Sequence, residues 1–154
     1  MTALAPPAGA ARLIGPLALL LSGCVSRAEL AGAWDIAVLR LTLSDGAEVV
    51  DEDAGWILLQ GDDDGSGDIT YAFSGRYDAS RGRFLHLLDP PVQRSSMVSL
   101  DLEDAPTVDL RYHGAPASFT IEADEEVPDA LTLRSTTATV DGAAVGLVLE
   151  LVLP

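Results

Sequence analysis

The sharpest chemical feature of the sequence is a run of hard oxygen donors, Gly61-Asp62-Asp63-Asp64-Gly65-Ser66-Gly67-Asp68. Asp62, Asp64, Ser66 and Asp68 stand at alternate positions, with Gly67 allowing a turn, which is the donor type and spacing of a calcium loop. Counted from Asp62, position twelve of a helix–loop–helix calcium site is Phe73 and not Glu, and no helical pattern flanks the run. Asp62, Asp64 and Asp68 therefore stay as metal candidates only beside the simpler reading, an acidic hairpin loop that keeps strand ends solvated. Asp51-Glu52-Asp53 and Glu122-Ala123-Asp124-Glu125-Glu126 also read as solvated loops. Gathered at one rim, they would make a negative mouth that steers cations or a basic protein patch.

Four more residues invite a chemical reading. His86 alternates with Phe84 and Leu88, so it is expected as a packed, hydrogen-bonded core or rim histidine, and His113, before Gly114, as an exposed turn residue. Arg40 and Glu150 are lone charges in two strongly apolar runs, either a cross-strand closure pair or, with Arg40 in a cavity, a ligand contact. No nucleophile elbow, phosphate loop, dinucleotide fingerprint or paired-histidine helix is present, so no enzymatic activity is expected.

Composition narrows the field. The 154 residues carry 24 acids and nine basic residues, all arginine, for a net charge of −15, which disfavours nucleic acid and anionic membrane surfaces as direct partners. One Cys and two His exclude an internal disulfide and a Cys/His zinc site. Lys and Asn are absent while Ala, Gly, Asp and Arg abound, the signature of a GC-rich genome, so the choice of Arg carries little functional weight.

The elements that must position these residues are short β-strands. Runs rich in Val, Ile, Leu, Thr and aromatics recur between Asp-Gly, Ser-Gly, Arg-Gly and Pro signals. They predict strands near 34–43, 55–60, 68–77, 83–88, 97–102, 107–113, 118–123, 131–139 and 143–153, with Asp45-Gly46 and Asp141-Gly142 as hairpin turns holding φ > 0 at both positions. The fold expected is all-β, an antiparallel up-and-down meander barrel of eight or nine strands, with a β-sandwich as the alternative. The first and last strands are apolar on both faces and so call for cover on both sides.

Ahead of these strands, Arg12 and the apolar run from Leu13 to Leu21 form a leader too short to span a bilayer. Leu21-Ser22-Gly23-Cys24 resembles the lipobox of bacterial lipoproteins. That resemblance implies cleavage before Cys24 and lipid attachment, palmitate included, on Cys24. Residues 1–23 would be the signal peptide, 24–30 a short tether and 31–154 the barrel domain. The mature chain would keep all 24 acids and eight arginines, a net charge of −16. Val25 and Ser26, with no Asp after the Cys, imply the outer membrane of the cell envelope by the enteric sorting rule.

Gly32-Ala33-Trp34 at the start of the first strand is similar to the Gly-x-Trp of the calycin superfamily, which includes lipocalins, avidins and barrel-type periplasmic protease inhibitors. The resemblance implies that Trp34 plugs one barrel end and that Arg134 packs across its face. The chain departs from it where lipocalins carry Thr-Asp-Tyr, having Thr107-Val108-Asp109-Leu110, and in lacking an Arg in its last strand. The function expected is a membrane-anchored envelope lipoprotein that binds a small apolar or amphipathic ligand in its barrel, with no cofactor. The alternative is a protein-interaction or inhibitor-type module with a filled barrel. Small inward residues would leave a cavity, whereas Tyr71, Phe73, Phe84 and Trp56 pointing inward would fill it.

Overall fold

A computed structural model of the chain describes residues 31–97, 106–123, 126–127 and 129–154. Among them are twelve strands: β1 Gly32–Thr42, β2 Glu48–Gly61, β3 Gly67–Phe73, β4 Gly75–Asp78, β5 Arg83–His86, β6 Gln93–Met97, β7 Thr107–Tyr112, β8 Ala115–Ala123, β9 Ala130–Ser135, β10 Thr139–Val140, β11 Ala143–Ala144 and β12 Gly146–Val152. Eight of them form one antiparallel sheet in the order β6-β3-β2-β1-β12-β9-β8-β7, curled into a nearly closed barrel. The fold is the up-and-down barrel and not a sandwich. No ladder joins β6 to β7 among the described residues. There Ser95 and Ser96 face Thr107, Val108 and Asp109 across a cleft of about 300 Å³, and the Tyr71 hydroxyl accepts a hydrogen bond from the Arg111 amide (2.7 Å). Of the strand expected over 97–102, residues 98–102 lie outside the described residues.

Alternation writes the inner face of β7, β8, β9 and β12: Val108, Leu110 and Tyr112; Ala117, Phe119 and Ile121; Leu131 and Leu133; Leu147, Leu149 and Leu151. β1 breaks this rhythm. Ile36 pairs with Leu151 and Val38 with Glu150, so Ala37 is an extra residue against β12. On the other side, Ile36 pairs with Gly55 and Val38 with Glu52, so β2 carries one more residue than β1. The bulges flip the phase: Trp34 and Ile36 point inward before them, Leu39 and Leu41 after them. Part of the two-faced apolarity of β1 is thus a bulge and not a surface awaiting cover.

Asp53 takes φ 54° within the β2 bulge. Its carbonyl accepts from the Ser74 hydroxyl (3.0 Å), and the Ala54 carbonyl from the Ser74 amide (2.9 Å). This capture ends β3 at Phe73, where the sequence pattern runs on to Tyr77, and sends the chain into the β4–β5 hairpin across one end of the barrel. The small β10–β11 hairpin, built on the expected turn with Asp141 at φ 52° and Gly142 at 81°, lies at the same end. At Asp45-Gly46 only the glycine takes φ > 0 (84°), because Leu43 and Ala47 close a longer loop through the Leu43 amide (2.8 Å).

The interior is filled by side chains. Tyr71, Phe73 and Tyr112 meet edge to face, with centroids 5.6 and 5.3 Å apart, among buried Ile57, Ile69, Met97, Leu110 and Phe119. Trp56 faces outward at 36% exposure, and Phe84 packs half-buried on Tyr77 of the end hairpin. Each fully buried aliphatic or aromatic side chain contributes about 1.5–3 kcal/mol, while exposed ion pairs are worth roughly 0–1 kcal/mol each. The interior therefore holds the barrel, and every buried apolar residue of that core lies between Trp34 and Leu151.

Candidate functional site

The two barrel ends differ in chemistry. β1 starts beside the end of β2, so Ala31 leaves the barrel at the end that holds the 62–66 turn, the β8–β9 connection and the chain terminus. The opposite end holds the β4–β5 and β10–β11 hairpins and the His113-Gly114 turn. A cleft of about 270 Å³ opens at this second end, between the β4–β5 hairpin with its following segment and the β7–β8 turn. Phe73, Leu87 and Pro91 give it apolar walls, and Arg76, Arg111, Tyr112 and His113 supply polar groups. A neighbouring cleft of about 290 Å³ shares Arg76, Leu87 and His113 and adds Asp78 and Asp141.

His113 holds φ 54° and Gly114 φ 77° in a two-residue turn between Tyr112 and Ala115. The turn lays the imidazole on the Tyr112 ring, centroids 4.6 Å apart. Both imidazole nitrogens are buried without a hydrogen-bond partner, which corrects the expectation of an exposed turn histidine. Burial, then the nearby Arg76 charge, pushes its pKa below the ordinary histidine value, partly offset by Asp141. Tyr112 is 2% exposed. Its O–H meets no acceptor, and burial pushes the phenol well above its usual range, opposed by the Tyr77 amide lying toward its oxygen.

Beneath the hairpin, Asp51 occupies an inward position of β2 and is 5% exposed. This corrects the reading of Asp51-Glu52-Asp53 as a solvated loop: Glu52 and Asp53 are exposed strand residues, but Asp51 is a core carboxylate. Asp51 Oδ1 meets His86 Nε2 at 3.0 Å, and Oδ2 is buried without a hydrogen-bond partner. Burial raises the carboxyl pKa, with the His86 contact working against it. His86 is thus a hydrogen-bonded rim residue that ties β5 to β2.

These shifts set opposite pH dependences. Asp51, with its pKa raised on folding, contributes stability that is complete below about pH 3.8 and lost as pH rises through its folded value. His113, with its pKa lowered, contributes stability present above about pH 6.5 and lost as pH falls through its folded value. In urea midpoints measured from pH 3 to 8, Asp51→Asn is expected to remove the loss on the rising side and His113→Gln the loss below pH 6.5. Unchanged profiles in both variants would remove these assignments.

The other expected site residues lie elsewhere. Arg40 Nη2 reaches Glu150 Oε1 at 3.3 Å, diagonal across the β1–β12 pair, and Nη1 reaches Glu48 Oε2 at 3.6 Å. All three are on the outer wall, so Arg40 enters no interior cavity. Trp34 is buried inside, whereas Arg134 lies exposed on the outer face with Nε 3.2 Å from Glu122 Oε2. The expected stacking of Arg134 on Trp34 is therefore not formed, because alternation puts the two on opposite sides of the wall. Ser66 donates its amide and hydroxyl to Asp64 and its hydroxyl to Asp62 Oδ2, and Asp68 turns away to accept from Ser96 (3.2 Å). Among the described residues no three acidic, His or Cys side chains are grouped to hold a metal ion, and Asp62, Asp64 and Asp68 form no such group. Cys24 lies outside the described residues.

Neither a protein-family model nor a curated protein matches the chain. Among solved structures it is similar to a redesigned β-barrel, at 19% identity and a TM-score of 0.52, covering 86% of this chain and 98% of that one. It is also similar to a de novo designed fluorescence-activating β-barrel, at 18% identity and a TM-score of 0.48, covering 80% and 93%. At such identities the likeness is one of barrel fold alone.

Proposed function

We propose that this chain is an envelope lipoprotein, anchored through Cys24 at the outer membrane, whose filled barrel is a scaffold for binding a small amphipathic ligand at its rim. The carrying observation is the contrast between a packed interior and a cleft that combines apolar walls with Arg76, Arg111 and His113. The chain leaves Ala31 at the opposite end, so an anchor at Cys24 would hold the cleft away from the bilayer. Multiple acylation of one cysteine would hold essentially permanently, since each buried methylene adds about 0.8 kcal/mol. The filled interior equally favours a second reading, an interaction or inhibitor-type module using the same rim.

Two measurements test the parts separately. Labelled palmitate should mark the full chain and not Cys24→Ala, and label that survives the substitution removes the anchor. An environment-sensitive apolar dye should bind the chain from Val25 onward and lose at least tenfold affinity in Leu87→Asp, which puts a charge on the wall shared by both clefts. Equal dye binding by the two chains would remove the rim site, and saturable capture of an envelope protein without dye binding supports the second reading.

A further inference from the structure

Resting on the rim-binding reading, we infer that the cleft is an anion site: it takes an amphipathic molecule whose acidic head meets Arg76 and Arg111 and whose short apolar body lies on Phe73, Leu87 and Pro91. Three independent observations converge there. The chain has 24 acids against nine arginines, yet no Asp or Glu is among the residues lining the 270 Å³ cleft. Asp51, behind Gly75 and held by His86, and Asp78 and Asp141, on the adjoining cleft, lie outside that lining, although the charge of Asp51 reaches Tyr112 and that of Asp141 reaches His113.

The arginines are available. Arg40, Arg81 and Arg134 each have a carboxylate within 3.6 Å. Arg76, Arg83, Arg94 and Arg111 have none within 4.0 Å among the described residues, and of these four Arg76 and Arg111 line the same cleft. Arg111 Nη1 holds the Gly114 carbonyl (3.2 Å), which fixes the guanidinium at the β7–β8 turn and leaves its other donors open.

The wall also carries unmet donors. Tyr112 is almost wholly buried; the Tyr77 amide lies toward its oxygen, but its O–H has no acceptor, and the His113 nitrogens are buried and unpartnered. A phenol always carries one O–H and a neutral imidazole one N–H, and both want an acceptor. An anion supplies acceptors to the arginines and to these groups together. At about 270 Å³, and about 30 Å³ for each water-sized heavy atom, the cleft takes roughly nine heavy atoms, close to the ten of octanoate and short of the thirteen of octyl phosphate, whose chain end would stay outside.

The test uses one tail with different heads, on the chain from Val25 onward, which carries the whole described core. Octanoate, octyl phosphate, octanol and octylamine are titrated by calorimetry and by amide chemical shifts. The expected result is that one of the two anions binds at least tenfold tighter than octanol, naming the head as carboxylate or phosphate, and that octylamine binds more weakly than octanol. The amides of Arg111, His113 and Gly114 should shift most. Arg76→Ala and Arg111→Ala should each cost the anion at least tenfold and octanol no more than about twofold, whereas Arg83→Ala, on the far strand of the hairpin, should change neither. Octanol and octylamine binding as tightly as the anions overturns the anion inference and leaves the rim reading standing; no binding by any of the four overturns both.

Discussion

Gly55→Ala is expected to cost more than about 4 kcal/mol, a level that single substitutions reach only by a specific structural fault. A Cβ on Gly55 would lie 2.0 Å from the Ala72 carbonyl oxygen, a backbone atom of the paired strand β3, and the residue holds φ 138°. A backbone atom cannot yield without pulling β3 from β2, next to the bulge that turns the chain out at Ser74. Against a total stability of roughly 5–15 kcal/mol, the variant should be largely unfolded or lose most of its urea midpoint. Gly46→Ala is the control: its φ is 84° but nothing stands within 4 Å of the added carbon, so it should cost only about 1–2 kcal/mol. Equal effects would show that conformation, and not the β2–β3 contact, constrains Gly55.

The second large effect is expected at Gly75. An added Cβ would stand 1.8 Å from Asp51 Oδ2, with Ala54 Cβ at an ordinary 3.7 Å. The obstacle is a side chain, so the strand can stay if the carboxylate leaves, but leaving breaks the 3.0 Å contact with His86 and displaces a buried charge. Gly75→Ala should cost about 2–4 kcal/mol. Asp51→Ala in the same chain should restore most of that, because only the Ala54 contact remains; a coupling energy of about 1–3 kcal/mol is the expected signature. Additive losses would mean that Gly75 and Asp51 do not share this space.

Much of the barrel was legible in the sequence because period-two alternation survives in strands that run without interruption. Val108, Leu110 and Tyr112 on β7 are the clearest case. The β1–β12 pairing was legible from Arg40 and Glu150, two charges that each need a partner in an apolar strand, and the structure places them 3.3 Å apart on the outer wall. The β2 strand was half missed: three successive acids looked like solvent, and local composition cannot show that a bulge turns Asp51 inward while Glu52 and Asp53 stay out. Trp56 was read as a possible interior filler, since which face an aromatic takes depends on the bulge two residues before it.

The rim cleft was not legible at all. Its residues come from β3, β4, the segment after β5, the start of β6, the end of β7 and the β7–β8 turn, which only the closed meander brings together. The one local signal was His113-Gly114 between two β-rich runs, a two-residue hairpin turn with histidine in its first left-handed position. Once that turn is recognised, the ring beside it has a neighbour in Tyr112. The placement of Arg134 outside the wall has the opposite lesson: parity in β9, with Leu131 and Leu133 inward, already sends it away from Trp34.

Methyl and amide chemical-shift mapping of the chain from Val25 onward, titrated with octanoate and with octyl phosphate, separates a rim site from an interior one most directly. Shifts confined to Phe73, Arg76, Leu87 and Arg111–Gly114, with the methyls of Leu39, Leu110, Leu133 and Leu149 unmoved, are the result expected of a filled barrel that binds at its rim. Shifts of those interior methyls, with the rim silent, would mean that the barrel opens to hold its ligand inside, and would contradict it.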